Sequence, residues 1–332
     1  EPWETDARFE TRGAFAEGTW HVAEQQRLVA GARVDRAEVQ DRRATAGMMG
    51  MPNPTAGLTR KETLPGGFVR FEHDLAVVPV TWYAGVGHTE RMPDYWELFS
   101  ADRGPMGAPN AFAGIAPEQT TQLDIGLQYR SARLDAWVSA YAGRIDDYIL
   151  FSYMSGGMMG MMSSVANVDA RVRGAEAGVE VRPREGWKLG ATLAHAWGEV
   201  RHGGALPQMP PLEARLTAAY EGPRWSAGVL LRAVAGQDRV ALDQGNVVGR
   251  DLGPSAGFAT LALNGGYRFN DQVRLIAGID NVFDRTYSEH LNLSGSADFG
   301  YPAVPVRINE PGRTAWVKLQ LAYRGWLRIR SR

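Results

Sequence analysis

The sequence of 332 residues predicts an all-β protein whose antiparallel strands form a transmembrane β-barrel. Three observations lead to this prediction. About thirteen segments alternate apolar and polar residues with a period of two, the connections between them alternate between short and long, and aromatic residues collect at one end of the segments. The 39 glycines and 18 prolines also interrupt the chain too often for long helices.

The alternating segments begin near residues 7, 26, 66, 80, 120, 133, 171, 186, 212, 224, 257, 272 and 313. In "TQLDIGLQYR", for example, Leu123, Ile125, Leu127 and Tyr129 share one face of the strand and polar residues share the other. A soluble sandwich would alternate in the same way. The apolar faces carry no charge, however, which favours lipid, because a charge at the bilayer midplane costs roughly 2–4 kcal/mol.

Connection lengths distinguish the two ends of the strands. Short connections read "RSAR", "RPREGW", "YEGPRW" and "RFNDQ", whereas long ones occupy roughly residues 91–118, 150–168, 200–211, 236–256 and 285–312. Outer-membrane barrels have short periplasmic turns and long extracellular loops. An interfacial belt is predicted at the short-turn end, formed by Tyr129, Tyr220, Tyr267, Tyr323, Trp187 and Trp225.

Composition excludes several classes of function. The 36 Lys and Arg balance 37 Asp and Glu, so no net charge favours nucleic acid as a partner. With no cysteine, any metal must be held by His, Met, carboxylate or backbone groups. No apolar run of about 18 residues and no signal peptide occur. No hydrolase, zincin or nucleotide-binding motif appears, so we predict that the protein is not an enzyme and holds no catalytic cofactor.

Five stretches resemble one family. "GIDNVFDRTYSEH" (278–290) followed by "INEPGRTAWVKLQLAY" (308–323) is similar to the C-terminal signature of TonB-dependent outer-membrane receptors. "GHTERMPDYWELF" (87–99), "PEQTTQLDIGLQYR" (117–130) and "NVDARVRGAEAGVEV" (167–181) resemble internal barrel motifs of that family. "YSEHLN", "FGYPAVPVRINEPGR" and the Met-rich segments resemble its copper receptor subgroup.

The resemblance implies a 22-stranded barrel filled by an N-terminal plug domain. Bacterial single-chain barrels use even strand numbers, so thirteen strands predict a chain that is incomplete at its N-terminus. The expected fold is therefore the C-terminal part of the barrel, about thirteen strands over residues 1–323, with the plug and roughly nine early strands absent. A basic tail, "RGWLRIRSR", follows Tyr323 and occupies residues 324–332.

All eleven methionines fall in predicted long connections and none on a predicted strand. Thioether sulfur suits Cu(I), and neighbouring glycines let sulfur atoms converge. The segments "MSGGMMGMM" (154–162) and "GMMGM" (47–51) are therefore the predicted copper-capturing site, with the ligands Met154, Met158, Met159, Met161, Met162, Met48, Met49, Met51 and His88. The alternative is a flexible, low-complexity loop without a metal. His195, His202 and His290 are weaker candidates.

The predicted function is energised uptake across the bacterial outer membrane, with copper ion as the transported ligand. The resemblance implies as partners the TonB energy-coupling complex, acting through the plug, and the barrel assembly machinery. Outer-membrane lipid and lipopolysaccharide would surround the barrel. Two alternatives stay open: a receptor for a ferric siderophore or another metal complex, and a passive porin or structural barrel.

Overall fold

The computed structural model of the chain describes residues 6–46, 50–155, 161–295 and 306–322. Most of these residues belong to β-strands, which are β1 (Ala7–Ala23), β2 (Gln26–Asp41), β3 (Thr45–Ala46), β4 (Met51–Pro52), β5 (Thr59–Asp74), β6 (Val80–Arg91), β7 (Glu118–Arg130), β8 (Leu134–Ser155), β9 (Met161–Val181), β10 (Trp187–Val200), β11 (Glu213–Glu221), β12 (Trp225–Val234), β13 (Gln244–Gly245), β14 (Phe258–Asn270), β15 (Val273–Asp280) and β16 (Thr314–Leu321). Two short helices, α1 (Tyr95–Phe99) and α2 (Ala111–Gly114), lie between β6 and β7.

Thirteen of these strands form one antiparallel sheet in chain order, from β1 to β16, and β13 adds to the upper part of β8. The separate hairpin β3–β4 belongs to the connection between β2 and β5. Among the described residues, β1 and β16 form the two edges of the sheet, each with a neighbour on one side only. No helix in the described ranges has the length and apolarity to span a bilayer.

The predicted all-β fold is confirmed, and eleven of the thirteen predicted starts lie within two residues of the observed ones. The exceptions are β5, predicted from residue 66 and observed from Thr59, and β9, predicted from 171 and observed from Met161. Both strands extend past the apolar band, where neither face meets lipid and side chains face water or neighbouring connections, so alternation no longer marks a strand. The predicted tail at 324–332 and Tyr323 lie outside the described residues.

The aromatic belt lies at the short-turn end as predicted. Trp187 is directly opposite Tyr220 and their ring centroids are 5.3 Å apart. Trp225 is directly opposite Tyr267, with centroids 4.6 Å apart. Cross-strand aromatic pairs of this kind stabilise a sheet and also suit a boundary between lipid and water.

The polar face of the sheet combines charged pairs with aromatic rings that cover glycines. Tyr83 lies opposite Gly126 and Tyr141 opposite Gly174, and a Cβ at either glycine would lie within 2.5 Å of the ring. Trp137 and Trp316 cover Gly178 and Gly278 in the same way. A ring can lie flat against the wall only because these positions lack a side chain, so the glycines are required by packing.

Several charged residues on the polar face of the sheet find partners within the wall itself. Arg182 donates to Asp135 at 2.6 Å and pairs with Glu180 at 2.6 Å. Asp280 accepts a hydrogen bond from the indole nitrogen of Trp316 at 3.1 Å. These contacts stabilise the wall itself.

Candidate metal-binding hairpin

The strands β8 and β9 continue well beyond their neighbours at the long-loop end. The pairing of β8 with β7 stops at Asp146, and a register shift between Ile145 and Tyr148 marks the start of the extension. Asp147 occupies this bulge with a φ of 59°, a conformation that a β-bulge accommodates. The extension, residues 148–155 and 161–168, is called the methionine hairpin below.

Asn167 fixes the base of the methionine hairpin. Its side-chain nitrogen donates to the carbonyl oxygens of Asp147 at 2.7 Å and Ala116 at 3.1 Å. Its side-chain oxygen accepts from the backbone nitrogen of Ala116 at 2.8 Å. One side-chain amide therefore satisfies the backbone carbonyl group at the bulge and joins the bulge to the end of the 92–117 connection.

One face of the methionine hairpin is packed into a small hydrophobic core. Ile149, Phe151 and Val165 contact Ala111 of α2 and Ile115, and all five are at most 2% exposed. Burial on this scale anchors the hairpin firmly, since a fully buried Phe or Ile side chain contributes roughly 1.5–3 kcal/mol.

Both edges of the methionine hairpin are also held. On the β8 edge, β13 pairs with Phe151 and Ser152, and the backbone nitrogen of Tyr153 donates to Asp243 at 2.8 Å. On the β9 edge, the backbone nitrogen of Ser163 donates to the Asp102 carboxylate at 2.8 Å. Two other long connections, 92–117 and 235–257, thus fix the hairpin in place.

The opposite face of the hairpin presents thioethers. Met154 lies directly opposite Met162 in the antiparallel ladder, so their Cβ atoms are about 4.5–5.5 Å apart and their side chains share one face. The Met154 side chain is 46% exposed. Met161 lies on β9 next to this pair, and Met158 and Met159 lie outside the described residues.

The prediction that no methionine lies on a strand is therefore wrong. Met154, Met161 and Met162 belong to the long strands β8 and β9, and Met51 belongs to β4. Sequence patterning failed at these positions because glycines and methionines do not alternate, although the backbone pairs through them. A strand restricts the positions of its side chains more than a loop does, so the correction makes the thioether pair better ordered than predicted.

The second methionine segment is the β3–β4 hairpin, in which Met51 lies opposite Ala46 and is 62% exposed. Met48 and Met49 lie outside the described residues. A buried polar cluster holds this hairpin at its base: the fully buried Asp41 carboxylate accepts hydrogen bonds from the side chains of Arg43, Asn53 and Thr55.

The two methionine segments share α2 as their anchor. Asn110 caps the N-terminus of α2 and donates to the Thr55 hydroxyl at 2.7 Å, which links α2 to the β3–β4 hairpin. Ala111 of the same helix packs on Phe151 of the methionine hairpin. A four-residue helix between two hairpins thus fixes both on the same side of the long-loop end.

His88 is not brought to the methionines. It lies on the apolar-face row of β6 with Trp82 and Val86, and its Nδ1 is 2.8 Å from the Thr121 hydroxyl. Thr121 pairs with Arg144, and Met154 lies ten residues further along β8, about 30 Å of strand. Within the described ranges, no three His, Asp or Glu side chains gather as a metal site.

The other candidate histidines have different surroundings. His195 is exposed on the apolar-face row of β10, and His202 is exposed in the connection after it. His290 is buried, with Nδ1 2.9 Å from the Ser255 hydroxyl and Nε2 3.7 Å from the Asp251 carboxylate. Burial lowers the pKa of His290, the positive charge of Arg307 lowers it further, and Asp251 partly offsets both.

Asp251 is the residue that sequence reasoning missed. Its carboxylate accepts from the backbone and side-chain nitrogens of Gln208 and from the backbone of Ala241, so it joins two long connections. Ser255, His290 and Asp251 form a serine–histidine–aspartate series, but His290 and Asp251 are 3% and 1% exposed. The three residues link the long connections to one another, and the histidine and aspartate are too deeply buried for a substrate to reach.

The family-like motif near the C-terminal end closes the last long connection. Asn281, with a φ of 48°, donates from its side chain to the carbonyl oxygens of Arg285 and Pro311. The Asp284 carboxylate accepts from the backbone of Arg313 at 2.7 Å. These hydrogen bonds hold together the two ends of the connection between β15 and β16, which is more than thirty residues long.

Comparison with known proteins places this geometry among characterised folds. A family model described as "TonB dependent receptor-like, beta-barrel" matches residues 2–282. The solved structure of the copper transporter OprC is 55% identical, with a TM-score of 0.92, and the match covers 97% of this chain and 49% of that chain. No match was found among curated proteins.

Two more distant structures share the fold. A mutant of the ferric enterobactin receptor PfeA from Pseudomonas aeruginosa is 18% identical with a TM-score of 0.64, covering 96% of this chain and 54% of that one. The ferric-catecholate import receptor Fiu from E. coli K12 is 17% identical with a TM-score of 0.69, covering 95% and 45%. The chain spans about half the length of the structures it matches.

Proposed function

The chain belongs to the TonB-dependent receptor family of the bacterial outer membrane, and from this premise we propose that it forms part of the barrel of a copper uptake receptor. The observation that carries the proposal is the cross-strand pair Met154 and Met162, presented on the exposed face of an anchored hairpin. The 55% identity to the copper transporter OprC supports copper as the ligand.

The chemistry of the pair fits Cu(I). Two thioethers on facing strand positions can approach one soft cation, and Met158, Met159 and Met161 offer further sulfur donors in the same segment. Because the opposite face is buried against Ala111 and Ile115, little ordering entropy is lost when the metal binds. The β3–β4 hairpin, with Met48, Met49 and Met51, would extend the capture surface.

His88 is not part of this proposed capture surface. Its place on the apolar-face row, about 30 Å of strand from Met154, puts it outside the reach of one metal ion.

The energy for uptake would come from the TonB complex acting on a plug domain. Insertion would depend on the barrel assembly machinery. The receptor is proposed to act in transport, with copper as cargo and no catalytic cofactor.

The test is Cu(I) affinity of the intact receptor, measured by competition with a chromophoric Cu(I) chelator. Replacing both Met154 and Met162 by Leu removes the sulfurs at nearly constant volume. We expect at least a tenfold, or about 1.4 kcal/mol, loss of Cu(I) affinity and a matching loss of copper uptake.

Met106 supplies the matched control. It is fully exposed in the 92–117 connection, so Met106→Leu removes one thioether without touching either hairpin. Its Cu(I) affinity should equal that of the wild type. Unchanged affinity in the double variant would show that the hairpin is not part of the copper site. Uptake of a ferric siderophore in place of copper would overturn the assignment of copper as the ligand.

A further inference from the structure

A second feature of the wall lies on its membrane-facing side, below the methionine hairpin. The apolar rows of β8, β9 and β10 end, toward the extracellular side, in a group of basic side chains. This group is called the arginine patch and consists of Arg144, Arg171, Arg173, Arg201 and Arg239 around Trp197. It plays no part in the proposed capture of copper.

The height of the arginine patch matches the membrane boundary. Trp187 and Trp197 lie on the same face of β10, ten residues apart. With a rise of about 3.4 Å per residue and a strand tilt of about 40°, the two rings are separated by about 26 Å along the membrane normal. The apolar band of such barrels is about 25 Å tall. Trp187 therefore marks the periplasmic boundary and Trp197 the extracellular one.

Two arginines of the patch are held on the Trp197 ring. The guanidinium carbons of Arg173 and Arg239 lie 4.2 and 4.3 Å from the ring centroid. Arg239 also donates to the carbonyl oxygen of Gly198 at 3.2 Å. Neither forms an ion pair within the part of the chain that the structure describes, so both retain N–H donors for an external acceptor.

The remaining three arginines are only partly neutralised. They face Asp146 at 2.8 Å, Asp169 at 3.5 Å and Glu199 at 4.0 Å. With Asp147 close to Asp146 and Asp169, five arginines face four carboxylates, which leaves an excess of one positive charge. In addition, Arg144 pairs directly across the ladder with Arg171, and like charges in that position are destabilising. A bound anion would relieve this repulsion.

The periplasmic boundary offers a contrast. There Arg184 packs on Trp187 at 5.0 Å, the same kind of ring contact, but with one guanidinium in place of two. Elsewhere on the wall, arginines face carboxylates directly, as Arg27 does with Glu72 at 3.0 Å and Asp74 at 2.6 Å. At the boundary with the outer leaflet, two arginines without an ion pair therefore share one ring.

We propose that the arginine patch binds the phosphate groups of lipid A, the membrane anchor of lipopolysaccharide. Lipopolysaccharide forms the outer leaflet of this membrane, and its phosphorylated sugars lie at the level of Trp197. Guanidinium groups bind phosphate through paired, charge-assisted hydrogen bonds. The indole ring would rest between sugar and acyl chain, where amphipathic rings are favoured.

The experiment compares lipid binding by the intact receptor in detergent, using native mass spectrometry with defined lipids. The variants are Arg173→Ala with Arg239→Ala, and Arg184→Ala as the matched control at the other boundary. We expect the double variant to bind bisphosphorylated lipid A at least tenfold more weakly, since each interfacial arginine contributes substantially to anionic lipid binding. Arg184→Ala should bind it like the wild type.

Two further lipids distinguish the source of the phosphate. Dephosphorylated lipid A should bind the wild type and the double variant equally weakly. If it binds as tightly as the phosphorylated form, or if the double variant keeps full affinity, the proposal fails. Phosphatidylglycerol binding as tightly as lipid A would overturn the assignment to lipopolysaccharide. Should the double variant fail to show the heat-dependent gel mobility of a folded barrel, Arg144→Gln with Arg171→Gln makes the same test.

Discussion

The lower and upper halves of the β8–β9 hairpin follow different physical rules. Residues 134–146 lie in the wall, where Val138 faces the apolar side and Ser139 the polar side. Residues 148–155 and 161–168 lie beyond it, where Phe151 is buried against α2 and Met154 is exposed on the other face. In the lower half, the lipid or water on each side determines whether a position holds an apolar or a polar residue. In the upper half, contacts with neighbouring connections determine it.

The two halves also differ in how a metal site can arise. The lower half has no freedom to present sulfur, because one face belongs to lipid and the other to the polar lumen. The upper half buries one face in a protein core, so the remaining face is available for function. The methionine pair therefore depends on packing that lies outside the membrane.

The largest expected effect tests the packing of the upper half. Phe151→Ala should cost about 3–5 kcal/mol locally, because a large side chain at 1% exposure leaves a cavity. Hydrogen exchange should increase across residues 148–155 and 161–168 and Cu(I) affinity should fall, while the wall stays protected. Ser152→Ala, half-buried on the other face of the same strand, is the control and should change neither measurement.

An unchanged exchange rate in the Phe151 variant would contradict the comparison. It would mean that strand pairing alone, through β13 and the β8–β9 ladder, holds the hairpin. In that case the core around α2 would add nothing to the placement of Met154 and Met162.

The next effect tests the lower half. Val138→Arg places a charge on the lipid-facing side near mid-height and should reduce the free energy of folding into vesicles by roughly 2–4 kcal/mol. Ser139→Arg, one residue further and opposite Glu176 on the polar face, should be nearly neutral. Urea titration of the intact receptor in lipid vesicles measures both. Equal costs at the two positions would show that lipid does not contact the Val138 face.

The two halves also differ in how well the sequence predicts their structure. Alternation predicted the wall strands closely, as with β6 from Val80 and β15 from Val273, because one face meets lipid throughout. It failed for the first ten residues of β9 and the first seven of β5, where both faces are wet or packed on loops. The site was predicted by residue type alone.

The missed features depend on contacts between distant segments. Asn167 satisfies the bulge at Asp147 and the backbone of Ala116, and no local pattern announces such a bond. Asp251 lies in an irregular connection and looks like any surface aspartate in the sequence, although it is 1% exposed. The outward position of His88 did follow from the period of two along β6 and could have been predicted.

The smallest expected effect concerns pH and separates the methionine hairpin from the last long connection. Burial first, then the charge of Arg307, lowers the pKa of His290 below 6.5. His290 is therefore neutral in the closed loops, while the opened loops bind a proton once the pH falls below about 6.5. Protection of residues 250–257 should thus be constant above that pH and decline as the pH falls further. Residues 148–155 and 161–168 contain no histidine and should not respond.

Hydrogen-exchange protection factors at pH 7.5 and pH 5, which correct for the intrinsic pH dependence of exchange, measure the difference. In His290→Gln, whose side chain can still bond to Ser255, the dependence should vanish, and its persistence would assign the titration to another group.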